Sequence, residues 1–436
     1  MSTKQQSIIG GVTVLGITGL ICKLIAVLYR IPLAWLIGDQ GLGTYQLVFP
    51  TYALLLTISS AGLPVAISRI VSFNLAKGDI LNTRRTLKFA LLILTLIGIL
   101  GTVLMIALRT FLANRVGDPL TVSGFVAIAP SVAIVCAMSA FRGYMQGHHD
   151  MRPTAYSQLI ESIGKIVIAL PMAWYGSKIV TDGVEGINIG YAAAGALLGT
   201  SIAEAIALAY MYIIYRRRRH ENDALVQNPE IPLQQPSAII RKLLLLAVPI
   251  TIGASIIPLA SFIDSGMIVT RLVDGAGFAR DIARAMYGRF SGYVITLINV
   301  PTALALAISM SMVPAISANM ARGDNAAMKR STHAGLRMAF LLGLPCSFGM
   351  SILAEPILAA VYPFKTAEAL QQTAQLLSFS SFTIILFTVV QATSGILQGM
   401  HKQRIPMYTL LVGVGFKVLI NYFLIATPKI NILGAS

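Results

Sequence analysis

The chain has 436 residues, of which 56% are hydrophobic and 11% charged, with a mean hydropathy of +0.76. Soluble domains average about 25% charged residues, so an ordinary soluble protein is excluded and a membrane is the expected setting. The 33 Lys and Arg against 17 Asp and Glu give +16, but most of these charges fall in short loops between apolar runs, so they encode membrane topology and not a nucleic-acid partner.

A span needs about 20 apolar residues, and eleven such stretches follow in order: 8–36, 45–73, 87–108, 122–144, 156–174 and 189–215, then 243–263, 287–316, 334–353, 376–397 and 406–425. The first is too long for a signal-peptide core and lacks a small-x-small cleavage site, so it reads as a retained span. Cys22, Cys136 and Cys346 lie inside these runs without a CxxC or a His cluster, which leaves neither a disulfide framework nor a zinc site. The polar stretch 216–242, with RRRRHEND and NPEIPLQQP, reads as an extended cytoplasmic linker. It separates an amino-terminal lobe, 1–215, from a carboxyl-terminal lobe, 243–436.

Six spans return the chain to its starting side, so the amino terminus and the linker share one face. Loops on that face carry 18 Lys and Arg, those opposite eight. The excess marks the cytoplasm.

A shift of 252 aligns Gly143, Gln146, Gly147, His149, Arg152, Tyr156 and Lys165 with Gly395, Gln398, Gly399, His401, Arg404, Tyr408 and Lys417. Near a shift of 245 to 250, AIS at 66–68 falls on AIS at 315–317, and KGD on RGD. A repeat of six spans, an even number, predicts two parallel copies related by an axis along the membrane normal. The sixth span should then recur near 441–467, so the second lobe reads as truncated at its carboxyl end, with the twelfth helix onward missing.

Seven basic residues are not assigned to loops: Lys23, Arg30, Arg69, Arg142, Lys165, Arg289 and Lys417. Facing lipid, they would cost on the order of 20 kcal/mol, more than a typical folding stability of about 5–15. Arg69 and Arg142 sit near cytoplasmic ends and can snorkel. Lys165 has Glu161 one turn before it, an ion pair or a functional pair. Lys23 and Arg30 are two turns apart on one helix face with no acid between them, and Arg289 opens the eighth span. They are either interfacial anchors or, the sharper reading, the lining of a cationic cavity between the halves, suited to phosphate or pyrophosphate. Asp264 and Glu204 are either coupling-ion or proton sites or buried hydrogen-bonding groups. Asp39, in GDQGLG, is expected in an outer turn. Gly195 and Gly199 form a GxxxG, read as helix packing. No catalytic constellation and no ATP-binding P-loop is present, so neither an enzyme nor a cofactor is expected.

YRIPLAWLIGDQGLGTY from Tyr29, AGLPVAIS from Ala61, FRGYMQGHHDMRPTA from Phe141, Glu161 with Lys165, and MVPAIS from Met312 resemble the polysaccharide and lipid II flippase group. This is the branch typified by stage V sporulation protein B, within the multidrug and oligosaccharidyl-lipid exporter superfamily. The resemblance implies an all-α bundle of 14 helices, with two six-helix lobes around a cationic cavity, and alternating access that flips undecaprenyl-pyrophosphate-linked sugars outward. It also implies cavity cations on the first and eighth helices, to which Lys23, Arg30 and Arg289 correspond. Lys23 stands where those flippases usually carry Arg.

The expected function is therefore a plasma-membrane flippase of a lipid-linked glycan precursor, in bacteria. Membrane lipid and that polyprenyl-pyrophosphate-linked glycan are its partners, with cell-wall synthesis proteins as further candidates. The alternatives are a drug or cation antiporter of the same fold, which would want acids in its cavity, and a noncatalytic scaffold in cell-wall or spore assembly.

Overall fold

A computed structural model describes residues 3–179, 187–223, 232–402 and 404–435. These residues are helical throughout, without a strand, and eleven helical stretches among them are long and apolar enough to cross a membrane. The number equals the sequence expectation through two compensating differences. The first two expected spans lie in one stretch, Val14–Ala76, kinked at Gly38 and interrupted at residues 61–62, while 243–263 falls on two helices.

Packing divides the chain into two compact units, Met1–Cys22 with Leu47–Phe262, and Lys23–Gln46 with Ile263–Ser436. The middle of the first helix thus belongs with the carboxyl-terminal half, where the sequence reading had kept it with residues 1–215.

The first unit begins on α1 (Thr3–Ser60) and α2 (Leu63–Ala76). Pro64 in the first turn of α2 lacks an N–H to continue the preceding helix, and the chain breaks at residues 61–62. Next come α3 (Ile80–Ala107), α4 (Arg109–Arg115) and α5 (Thr121–Gly147). Then α6 (Arg152–Gly164) leads through a π turn, Lys165–Ala169, into α7 (Leu170–Ser177). The unit's last helices are α8 (Ile187–Asp223) and α9 (Pro236–Ala254). α5 is the centre of the unit, packed against α2, α3 and α8. α8 reaches the π turn and α7 so closely that a methyl group on Gly199 would stand 2.3 Å from Ala169 Cα, and one on Gly195 2.2 Å from the Met172 carbonyl.

Helix α8 runs to Asp223, and α9 begins at Pro236. The stretch 216–242 is therefore helical at both ends, not extended throughout. Arg and Glu are good helix formers, and Arg218 pairs with Asp150 while Arg216 stacks on Tyr212. Residues 224–231 lie outside the described residues.

The second unit contains the segment of α1 from Lys23 to Gln46, kinked at Gly38, whose φ of 69° and ψ of −176° favour glycine. Its other helices are α10 (Ile256–Asp274, from Ile263 onward), α11 (Arg280–Gly288), a π turn at Arg289–Val294 and α12 (Ile295–Ala321). They continue with α13 (Asn325–Ile352), α14 (Ala354–Val361), α15 (Ala367–Ser380), α16 (Phe382–Gly399) and α17 (Arg404–Leu424). The α1 segment lies backbone to backbone on α11: a methyl group on Gly43 would meet the Arg284 carbonyl at 2.3 Å, and one on Gly288 the Asp39 carbonyl at 2.1 Å. Small residues permit that approach and explain why this part of α1 joins the second unit.

Local geometry recurs at the spacing of the sequence repeat. His149 and His401 both have φ of 60°. Gly78 and Gly323 have φ of 72° and 70°, each followed by an Asp that caps the next helix: Asp79 accepts from Asn82 N at 3.1 Å and Asp324 from Ala327 N at 2.8 Å. Helices α3 and α13 then break at Leu108 and Leu353, 245 residues apart.

Candidate functional site

Lys23 and Arg30 line one cavity of about 250 Å³ inside the second unit, built from the α1 segment, α12 and α16. Two turns of helix set both cations on the same face, as their spacing predicts. The other walls are apolar, with Leu306 and Phe387 among them, and polar at Asn299 and Thr302; no acid is among the described lining residues. Arg30 Nη1 donates to Thr296 Oγ1 at 2.9 Å, which fixes the guanidinium without neutralising it. Lys23 makes no ion pair among the described residues.

Arg289 is placed differently. It does not line that cavity. It is buried at the start of its π turn, donating from Nε to the Ala285 carbonyl at 3.4 Å and from Nη1 to the Ala369 carbonyl at 3.3 Å. Nε also lies 3.7 Å from Asp39 Oδ2. Arg289 is thereby paired with an acid 250 residues away, out of reach of an argument confined to one helix, and does not join Lys23 and Arg30 in one cavity as the sequence predicts. Asp39, expected in an outer turn, lies instead within α1 beside the Gly38 kink, its Oδ1 accepting from Gln40 N at 2.9 Å.

An aromatic pair that sequence reasoning missed lies near both arginines. Tyr293, in the π turn of Arg289, stacks on Tyr362 with centroids 4.1 Å apart and planes at 9°. Both hydroxyls are buried without a hydrogen-bond partner among the described residues. Burial pushes the Tyr362 phenol well above its ordinary value, with Arg30 acting in the opposite direction. The tyrosines follow no recognisable spacing; only their place in an otherwise apolar stretch could have drawn notice.

The remaining candidates are ion-paired or buried elsewhere. Asp264 Oδ2 accepts from Lys417 Nζ at 2.5 Å, within the second unit. In the first unit Glu161 pairs with Arg142 at 2.5 Å, not with Lys165 one turn away, because Arg142 on α5 reaches it from across the bundle. Glu204 accepts from the Tyr52 hydroxyl at 2.9 Å. No group of three or more metal-ligating side chains occurs among the described residues.

The family model for "Polysaccharide biosynthesis protein" matches residues 8–320, and that for "MatE" matches residues 291–423. The chain belongs to the polysaccharide biosynthesis protein family. Among its relatives, lipid II flippase MurJ of Bacillus subtilis is 27% identical over 436 residues, covering 98% of this chain and 78% of that protein. Stage V sporulation protein B of the same organism is 25% identical over 439 residues, covering 99% and 80%. The fold is that of an inward-facing multidrug resistance MATE family transporter of the MOP superfamily, with a TM-score of 0.71 at 14% identity over 95% of this chain and 92% of that one. The family member is accordingly a multi-span membrane protein, and the relatives and solved structures it resembles are flippases and transporters, not enzymes.

Proposed function

We propose that this transporter flips an undecaprenyl-pyrophosphate-linked glycan precursor, a lipid II or polysaccharide repeat unit, across the bacterial plasma membrane by alternating access, with its amino terminus in the cytoplasm. The observation that carries the reading is the pair Lys23 and Arg30 on one cavity wall with no acid among the described lining residues. A site with two cations in a largely apolar enclosure attracts a multiply charged anion, and a drug cation would meet repulsion there. Its 250 Å³ lies just below the range of about 300–1,000 Å³ typical of small-molecule sites, so it suits a diphosphate and leaves the glycan and polyprenyl tail outside. The lipid II flippase MurJ among the relatives favours the same substrate class.

In this reading Arg30, held by Thr296, offers its remaining guanidinium donors to the diphosphate oxygens in a planar fork, and Lys23 adds a point charge one side of it. Asp39 keeps Arg289 out of competition for the ligand and fixes its orientation behind the Tyr293–Tyr362 stack.

The test is translocation of a polyprenyl-pyrophosphate sugar in proteoliposomes. Arg30→Ala is expected to lose at least tenfold in rate with unchanged incorporation, and Arg30→Lys to recover part of it because charge returns without the bidentate geometry. Full translocation by a Lys23→Ala, Arg30→Ala double variant would sink the anionic-headgroup mechanism and favour a scaffold.

A further inference from the structure

The first unit holds a polar constellation for which the cationic cavity has no use. Glu204 on α8 is only 4% exposed. Its Oε1 accepts from the Tyr52 hydroxyl, and its Oε2 is buried with no partner among the described residues. A carboxylate with one bare oxygen in an apolar bundle loses its hydration and regains little, whereas the protonated acid carries no charge to desolvate.

A cation without an acid lies nearby. Lys165, half-buried at the start of the π turn Lys165–Ala169, makes no ion pair among the described residues, since Glu161 is engaged by Arg142. It is within electrostatic range of Glu204. The π turn itself packs on α8, with Gly199 against Ala169 and Gly164 against Ala203, one residue before Glu204. Such turns are rare, form where one residue is surplus to the α-helical register, and are frequent at functional sites.

We propose that Glu204 is a proton-binding site whose ionisation draws the Lys165 ammonium to it by repacking the π turn against α8. On ionisation the O–H bond at Oε2 breaks and the proton passes to water; the carboxylate then accepts from Lys165 and Tyr52. The groups facing Glu204 from the elements packed on it are Tyr52 of α1, Ser131 of α5, and Glu161 and Lys165 of α6 and its π turn. Cys22 of α1 and Arg142 of α5 complete the cluster around Lys165. The site is built from the first unit and the anion cavity from the second, and only its coupling to transport rests on the flippase reading.

Infrared difference spectroscopy of the full chain in lipid reads the proton directly, without substrate. The wild type is expected to show a protonated-carboxyl C=O band at neutral pH that bleaches as pH rises. Glu204→Gln, an isostere, should lose the band; Tyr52→Phe should keep it at higher frequency, having lost the hydrogen bond; Lys165→Met should retain it to higher pH. A band unchanged in Glu204→Gln would overturn the proton site. In proteoliposomes a pH gradient is expected to change wild-type translocation at least threefold and to leave the Glu204→Gln rate unaltered. A gradient response that survives the substitution would overturn the coupling alone, while absent translocation in the wild type would count against the flippase reading and leave the infrared result standing.

Discussion

Single side chains here act through partners far away in sequence. Arg289 and Asp39 illustrate the energetics: with side chains 8% and 26% exposed and 3.7 Å apart, they form a largely buried contact. Asp39→Asn leaves the guanidinium without its counter-charge and is expected to cost about 1–3 kcal/mol. A double-mutant cycle with Arg289→Gln, read from thermal denaturation in detergent, should return a favourable coupling; additivity would show the contact to be idle. His148 offers a test against pH. Burial holds its imidazole below the ordinary value, outweighing the hydrogen bond to the Tyr144 carbonyl, with Arg218 and His149 adding to the depression. The unfolded chain therefore binds the proton first as pH falls, and stability declines from about pH 7 downward through the ordinary imidazole range. His148→Gln should flatten that decline, and an unchanged slope would assign it to other groups.

Among the elements, glycines mark where helices approach and where they do not. Gly199 lies against the Ala169 backbone, whereas nothing stands within 4 Å of a methyl group on Gly413 in α17. Gly199→Ala is expected to destabilise by about 1–3 kcal/mol through overpacking, and Gly413→Ala to stabilise by about 0.5–1 kcal/mol through helix propensity. Equal melting temperatures for the two variants would contradict the packing described. The same contrast shows what was legible in the sequence. The GxxxG at Gly195 and Gly199 announced a close contact, and the two-turn spacing of Lys23 and Arg30 placed both on one wall, because periodicity within a helix is a local property. The pairing of Arg142 with Glu161, of Lys417 with Asp264 and of Arg289 with Asp39 was not legible, because each depends on which helices become neighbours. The division of 243–263 between α9 and α10 escaped hydropathy too, since the break at Ser255 is made of residues as apolar-tolerant as the helices it joins.

At the scale of the molecule, the charge asymmetry of the loops is open to a direct check. Single cysteines at Lys329, near the start of α13, and at Lys365, between α14 and α15, should label from opposite sides of the membrane in intact cells, with Lys365→Cys reached by an impermeant maleimide and Lys329→Cys protected until permeabilisation. The reverse pattern would invert the proposed topology. The three native cysteines are half-buried or buried, which keeps the background low. The turns after α5 and α16 carry a record of another kind. A left-handed backbone position is least costly for glycine and next for asparagine, so two turns of independent origin would be expected to settle on those residues. Histidine at both, 252 residues apart with φ of 60° in each, is what the sequence repeat predicts, since a repeated unit sets the same strained turn at the same place in each copy.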